Sequence, residues 1–424
     1  MMDLCRELAQ GEWYSQLDAI KVTGSNGKGS VGAMLSAILS AAGVGNGLYT
    51  SPHLFDFRER IALEGRPIPE GELAAAVAWF RKRRRRYAEL HPDDDVSGFE
   101  ASTAIALRFF SERKPSTLVA EAGIGGRYDP TRIIPGRLAV LVSLDLEHTE
   151  LLGGSLEEIA YDKCDLAADG SVLVVGPLPP EILRRLQGYC RLRGIRVVVA
   201  EASCSVARSA FTPSGMQADL AWGERRLENL EIGLFGEHQV RNAAIALVTA
   251  QEWMKRHRPR LSAAELESAL RRGLREIRWP GRFERLQTHP EVFVDVGHTP
   301  AAVDATVDTA RKRFGGRRVL LVTGVSHDKE ARTIVHRLVE IADRVICTRA
   351  HHKGLAATKI AELVRERRPS VPFVVEEKIE RAVTRAVEQA AAEGMTVLVA
   401  GGLYVAAEAA AALRGRDPRR LRFF

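Results

Sequence analysis

Residues 19–30 read AIKVTGSNGKGS, an apolar run that turns into a loop with three glycines and ends on Lys28 and Ser30. A helix-like stretch, 31–42, follows at once. Gly24, Gly27 and Gly29 open backbone conformations closed to other residues, so successive N–H groups can turn toward one point. The start of the next helix adds the positive end of its dipole. Lys28 supplies a full charge for β- and γ-phosphates, and the Ser30 hydroxyl suits Mg²⁺. Gly24, Ser25, Asn26, Gly27, Lys28, Gly29 and Ser30 are therefore the expected nucleotide-binding segment. The spacing is G-x-x-G-K-G-S, shorter than the common G-x-x-x-x-G-K-[ST] loop, because Val22 stands five places before Gly27. A phosphate loop of this kind demands a strand on one side and a helix on the other, which commits the chain to an α/β sheet.

The rest of the chain agrees with that demand. Strand-like runs at 19–23, 117–121, 138–144, 172–175, 196–200, 292–295, 318–322, 344–347 and 396–400 alternate with amphipathic stretches. The latter include 71–90, 102–112, 241–256, 263–276, 301–313, 331–342 and 379–393. Alternation of this kind predicts mostly parallel sheets. Residues 201–235 break it with short polar segments and predict a small antiparallel insertion. At 424 residues the chain exceeds one ordinary core. The prolines and glycine of 278–290 mark the boundary, giving domains 1–288 and 289–424.

Composition excludes several classes. An apolar fraction of 46% with 27% charged residues is that of a folded globular protein. No apolar stretch reaches membrane length, and Asp3, Arg6 and Glu7 do not fit a signal peptide. Five cysteines (Cys5, Cys164, Cys190, Cys204 and Cys347) form no C-x-x-C pair, which predicts a reducing cytoplasm rather than disulfides or zinc. The run RKRRRR at 81–86 is the strongest charge run in a chain of net charge +7. It lies in a helical pattern without interleaved aromatics, so a solvated face is expected and nucleic acid is not.

Two further residues carry chemistry on their own. Glu121 ends one predicted strand beside Gly123, Gly125 and Gly126, and His148 follows another. Strand C-terminal ends are where α/β sheets hold ligands. A carboxylate, a hydroxyl and an imidazole make a reasonable Mg²⁺ shell, although a histidine alone after a strand is more often a hydrogen-bonded loop residue than a ligand.

The shortened loop resembles that of the Mur-ligase superfamily, in its folylpolyglutamate synthase and dihydrofolate synthase branch. TSPHLFDFRERI (50–61), FEASTAIALRFF (99–110), EAGIGGRYDPT (121–131) and EHTELLGGSLEEIAYDKC (147–164) are similar to successive motifs of that branch. GEHQVRNAAIA (236–246), WPGRFE (279–284), DVGHTP (295–300), SHDKE (326–330) and GGLYVAAEA (401–409) continue the order. The resemblance implies a P-loop Mur-ligase-like ATPase domain followed by a smaller, Rossmann-like α/β domain. It implies ATP and two Mg²⁺ sites, one on Ser30 and the other on Ser51, Glu121 and His148. It implies that Lys163, which its neighbours Asp162 and Asp165 would mark as a surface ion-pair lysine, is carbamylated and serves as a metal ligand. Asn242 would meet the adenine, with His238 and Gln239 in the same segment. Arg282 would reach the phosphates, and Asp295, with His298 beside it, the ribose. Lys28, His148, Lys163 and Arg282 are the expected catalytic set.

The expected activity is ATP-dependent amide-bond formation through an acyl phosphate. A small carboxylic acid is the acceptor and an amino acid, glutamate foremost, the amine. The enzyme is expected to be a monomer. Some twenty residues precede the phosphate loop, fewer than folate-using relatives carry. Arg132, Val296, Gly297, Thr299 and Glu147 depart from the family pattern, and so do Cys164 and Asp165 beside Lys163. These departures point to an acceptor other than a folate, with a cationic Arg132 at the site mouth. A bifunctional dihydrofolate and folylpolyglutamate synthase is the alternative, and a non-synthetic ATPase or nucleotide-binding module is the reading from another class.

Overall fold

The computed structural model describes residues 12–423. Cys5 and the charged residues Asp3, Arg6 and Glu7 lie outside them. Ile20–Thr23 forms the middle of an eight-stranded sheet, between Thr117–Glu121 and Leu138–Leu141. Outward on one side come Asn46–Tyr49, Ile61–Leu63 and Arg66–Pro67, and on the other Val172–Val175 and Arg196–Val199. Only Ile61–Leu63 runs against the others, so its pairings with Asn46–Tyr49 and Arg66–Pro67 are the antiparallel ones. The central strands are largely apolar because helices cover both faces. Ile20 and Val22 are wholly buried, as are Leu118 to Ala120 on the neighbouring strand.

The loop after Ile20–Thr23 opens into the helix Lys28–Ala41, which is buried on nearly every side. Helices Glu237–His257 and Ala263–Glu276 pack against it. Gly273 permits the second contact, since a Cβ there would lie 2.8 Å from the Ala37 backbone. The predicted insertion is a three-stranded antiparallel sheet, Cys204–Thr212, Gly215–Trp222 and Arg225–Ile232. Its alternating inner residues Met216, Ala218, Leu220 and Trp222 join the core of this domain.

The second domain is a six-stranded sheet in the order Glu284–Thr288, Glu291–Val294, Thr396–Ala400, Val319–Thr323, Arg344–Thr348 and Phe373–Glu376. All neighbours after the first hairpin are parallel. The chain therefore enters this sheet at Glu284, ahead of the 288/289 boundary read from the sequence. Glu284–Thr288 looked irregular because its residues are half-exposed and it pairs only as an edge. The basic run 81–86 sits on the helix Glu70–Leu90 and faces solvent except for Arg83, which lies over the Trp79 ring. The four described cysteines are free and buried. No helix among the described residues is long and apolar enough to cross a membrane.

Candidate active site

The C-terminal ends of strands from both sheets meet at one cleft of about 510 Å³. Its lining includes residues 25–30, Ser51, Glu121, Glu147, His148, Asn242, Arg282, Asp295 and His298. Of the expected set, Gly24 and Lys163 do not line it. Gly24 lies beneath the loop and takes a bond from Lys28, whose Nζ donates to the Gly24 carbonyl at 2.7 Å.

The loop is braced from the next strand. Ser25 N–H donates to the Ser143 carbonyl at 3.0 Å, and Asn26 N–H to Ser143 Oγ at 2.8 Å. Gly27 has a φ of 84°, and a Cβ there would sit 3.0 Å from Asn242 Oδ1 and from Val142. Both the turn and the close approach of Asn242 therefore need glycine. The helix starts at Lys28 with no side-chain cap. Its leading N–H groups lack intrahelical acceptors, the arrangement that binds anions.

Glu121 is only 4% exposed, and its Oε2 accepts Ser51 N–H at 3.1 Å. Burial pushes its carboxyl up to about 7 against the pull of Lys28, the Ser51 N–H and Arg282. A carboxylate that costly to charge when alone is suited to a cation partner. Among the described residues no three His, Cys, Asp or Glu side chains cluster as a metal cage. Mg²⁺ needs none, since it takes one or two carboxylates and completes its shell with water and phosphate oxygens. Glu121 with the Ser30 and Ser51 hydroxyls fits that donor set. His148 stands exposed at the rim with a φ of 46°. Desolvation lowers its pKa, and Lys329, Lys163 and Lys28 add to the effect.

Lys163 is buried behind the cleft, 1% exposed, and its Nζ donates to Glu147 Oε1 at 2.8 Å. Its flanking acids point elsewhere. Asp162 accepts Gly126 N–H at 2.9 Å, while Asp165 holds Arg127, Tyr189 and Arg193. Sequence neighbours on a helix face different ways, so the surface ion-pair assignment fails. Burial lowers the Lys163 pKa, with Glu147 opposing.

At the nucleotide end, Asn242 Nδ2 donates to Gln239 Oε1 at 3.0 Å. His238 is pushed down to about 4 by burial, with Arg241 and Arg282 adding repulsion. Arg282 lies between the Glu121 and Asp295 carboxylates, whose fields offset part of its desolvation. Asp295 Oδ1 takes Gly297 N–H at 2.8 Å and Thr306 Oγ1–H at 2.7 Å, and Oδ2 takes Phe283 N–H at 2.9 Å. One lone-pair position on Oδ2 remains for a ligand hydroxyl. His298 Nδ1 lies 3.2 Å from the Val296 carbonyl.

Sequence reasoning left out Glu147, Ser143 and Trp279 as site-building residues. Trp279 crosses the loop so closely that a Cβ on Gly29 would lie 3.2 Å from its ring. Thr299 Oγ1 donates to Asn26 Oδ1 at 3.2 Å and caps the helix Pro300–Phe314, tying the second domain to the phosphate loop. The Thr-Pro pair was the readable signal for that cap. Arg132 is corrected: it does not line the cleft. Its guanidinium donates to the Asp165 and Arg127 carbonyls at 3.1 and 3.2 Å, close to Lys21.

A phosphate loop under an interdomain cleft, fed by the strand ends of two α/β domains, defines a P-loop ligase of the Mur-ligase type. The family model "Mur ligase, glutamate ligase domain" matches residues 281–403. The dihydrofolate synthase/folylpolyglutamate synthase of Bacillus subtilis is 31% identical over 79% of this chain and 77% of its own length. The folylpolyglutamate synthase of Lacticaseibacillus casei is 32% identical over 78% of this chain and 76% of its own. The Mycobacterium tuberculosis folylpolyglutamate synthase complexed with ADP superposes with a TM-score of 0.86 at 28% identity, covering 98% of this chain and 94% of that one. The chain belongs to the folylpolyglutamate synthase/dihydrofolate synthase family and is an ATP-dependent amide-bond-forming ligase.

Proposed function

We propose that this enzyme joins glutamate to a pteroate- or folate-type carboxylate. The observation that carries the reading is the convergence of Lys28, Glu121, Arg282 and Asp295 on the uncapped start of the Lys28–Ala41 helix. A solved relative complexed with AMPPCP and folate, 26% identical with a TM-score of 0.81, supports the acceptor class. Arg132, the residue that favoured another acceptor, is turned away from the cleft.

The substrate carboxylate attacks the γ-phosphorus of ATP, the bond from that phosphorus to the bridging oxygen breaks, and ADP leaves. The glutamate amine then attacks the acyl carbon, loses a proton and expels phosphate. The helix N–H groups and Lys28 hold the phosphate charge, and Arg282 faces the transferring group. Asn242 orients the base and Asp295 the ribose. Glu121, Ser30, Ser51 and His148 would hold Mg²⁺, which when bound neutralises charge on the phosphates. Burial favours the neutral Lys163 amine, the form that reacts with CO₂, so a carbamate there belongs to this reading. Lys163→Ala is then expected to lose activity and to regain part of it with added short carboxylic acids. Full activity in that variant would remove the carbamate.

The decisive experiment supplies dihydropteroate, reduced folates and a panel of other carboxylic acids with glutamate and follows ADP release. Turnover of a pteroate or folate at about 10⁴ M⁻¹s⁻¹ or better is expected. Coupled turnover only with an unrelated acid would replace the acceptor, and ADP release independent of any acceptor would replace the ligase reading.

A further inference from the structure

The turn that carries Ser51 is held from the far end of the chain. Residues 50–60 leave the first sheet after Asn46–Tyr49 and return at Ile61. Thr50 N–H closes the base of the turn on the Arg60 carbonyl at 2.9 Å. Glu59 gathers its tip, accepting the N–H groups of Leu54, Phe55 and Asp56 at 2.8, 3.1 and 3.0 Å. Leu54 is buried in the core of the second domain, with Val296, Tyr404 and Phe423.

Phe423 is 2% exposed. Its ring centroid lies 4.7 Å from Tyr404 and 5.2 Å from His352, both of the second domain. On its other side it stacks on His53 of the first domain, 6.4 Å away at an interplanar angle of 13°. Both nitrogens of His53 are engaged. Arg60 Nε–H donates to His53 Nδ1 at 2.8 Å. An arginine can only donate, so Nδ1 is the acceptor and the proton resides on Nε2. That Nε2–H donates to the Arg422 carbonyl. Arg60 Nη2 completes the clasp on the Phe423 carbonyl at 3.2 Å.

We propose that Phe423, His53 and Arg60 are positioning residues for the ligase reaction: seating of Phe423 between the domains sets the 50–60 turn and so keeps Ser51 N–H on Glu121. The consequence for catalysis rests on the ligase reading, whereas the ordering of the turn does not. A hydrogen-bonded chain of carbonyl, imidazole and guanidinium with one allowed tautomer has a narrow geometry. Loss of the ring that packs it frees the turn without touching Lys28 or the helix N–H groups of the phosphate loop.

The test compares Phe423→Ala and Phe423→Leu with the wild type. Amide exchange in the ligand-free protein is expected to rise about tenfold or more across 51–60 in Phe423→Ala, with the strands Val319–Thr323 and Thr396–Ala400 unchanged. The kcat of that variant is expected to fall about tenfold or more while KM for ATP moves less than about twofold, and Phe423→Leu recovers most of both readouts. Wild-type exchange across 51–60 in Phe423→Ala would overturn the proposal. So would a loss of protection that spreads equally through the second domain, since the role would then be general stability. Raised exchange confined to 51–60 with unchanged kcat would overturn the catalytic half alone.

Discussion

Lys28 folds its ammonium back over the loop that it serves, and its bond to the Gly24 carbonyl is one that water can replace. Removing it should spare the fold and cost turnover on the order of 10²–10³-fold, the usual effect of losing a preorganised electrostatic group. Steady-state ADP release, with circular dichroism for folding, checks this, and near-normal turnover of Lys28→Ala would refute it. Lys21 is the opposite case, a buried lysine with no phosphate to meet. It is 2% exposed, among the described residues its Nζ reaches only the Arg132 carbonyl at 3.5 Å, and burial with Arg132 lowers its pKa to about 8. The unfolded chain keeps this proton up to about 10.5, so between about 8 and 10.5 the unfolded state binds more protons and stability rises with pH. Below about 8 the folded state bears the cost of the charge. Lys21→Met should therefore be stabilising by about 1–3 kcal/mol at pH 7, with the gain shrinking toward pH 10.5. Urea midpoints at both pH values test it, and an equal gain at each would exclude titration as the cause.

The glycine-rich turn after Glu121 shows how elements place one another. The sequence places it beside the candidate ligand Glu121, and Gly126 serves packing: a Cβ there would lie 2.6 Å from the Lys163 carbonyl and 2.7 Å from that of Asp162. The turn and the helix Leu156–Cys164 fit only because this residue has no side chain. Gly126→Ala must push that helix away and with it the Lys163–Glu147 pair. A loss of about 1–3 kcal/mol is expected, as for overpacking of a close contact. Gly154, whose added Cβ meets nothing within 4 Å, is the control and should tolerate alanine. Equal urea midpoints for the two alanine variants would contradict the packing argument.

At the scale of the whole molecule, the cleft takes residues 25–30, Ser51 and Glu121 from one domain and Asp295, His298 and Thr299 from the other. A nucleotide that touches both stabilises both by mass action, by about 2.7 kcal/mol at a hundred times its Kd. Calorimetry with saturating Mg²⁺–ATP should show the melting of the two domains moving up together. A shift confined to the first domain would mean that Asp295 and its neighbours do not bind the nucleotide.

Local features were legible because their physics is local. The alternation of strands and helices, the antiparallel insertion, and the glycines, Lys28 and Ser30 of the phosphate loop each follow from a few adjacent residues. Glu121 could be placed because a carboxylate at a strand's end has one direction to point. What lay far apart in the chain could not be read. Whether Lys163 faces water or the interior depends on Glu147 and on the helix that Gly126 admits. Arg132 could be aimed at the cleft or away from it until the backbone carbonyls of Arg127 and Asp165 took its donors. The bond from Arg422 to His53 spans most of the chain. Burial and pairing of this kind are set by contacts between distant residues, and those exist only once the two sheets have packed.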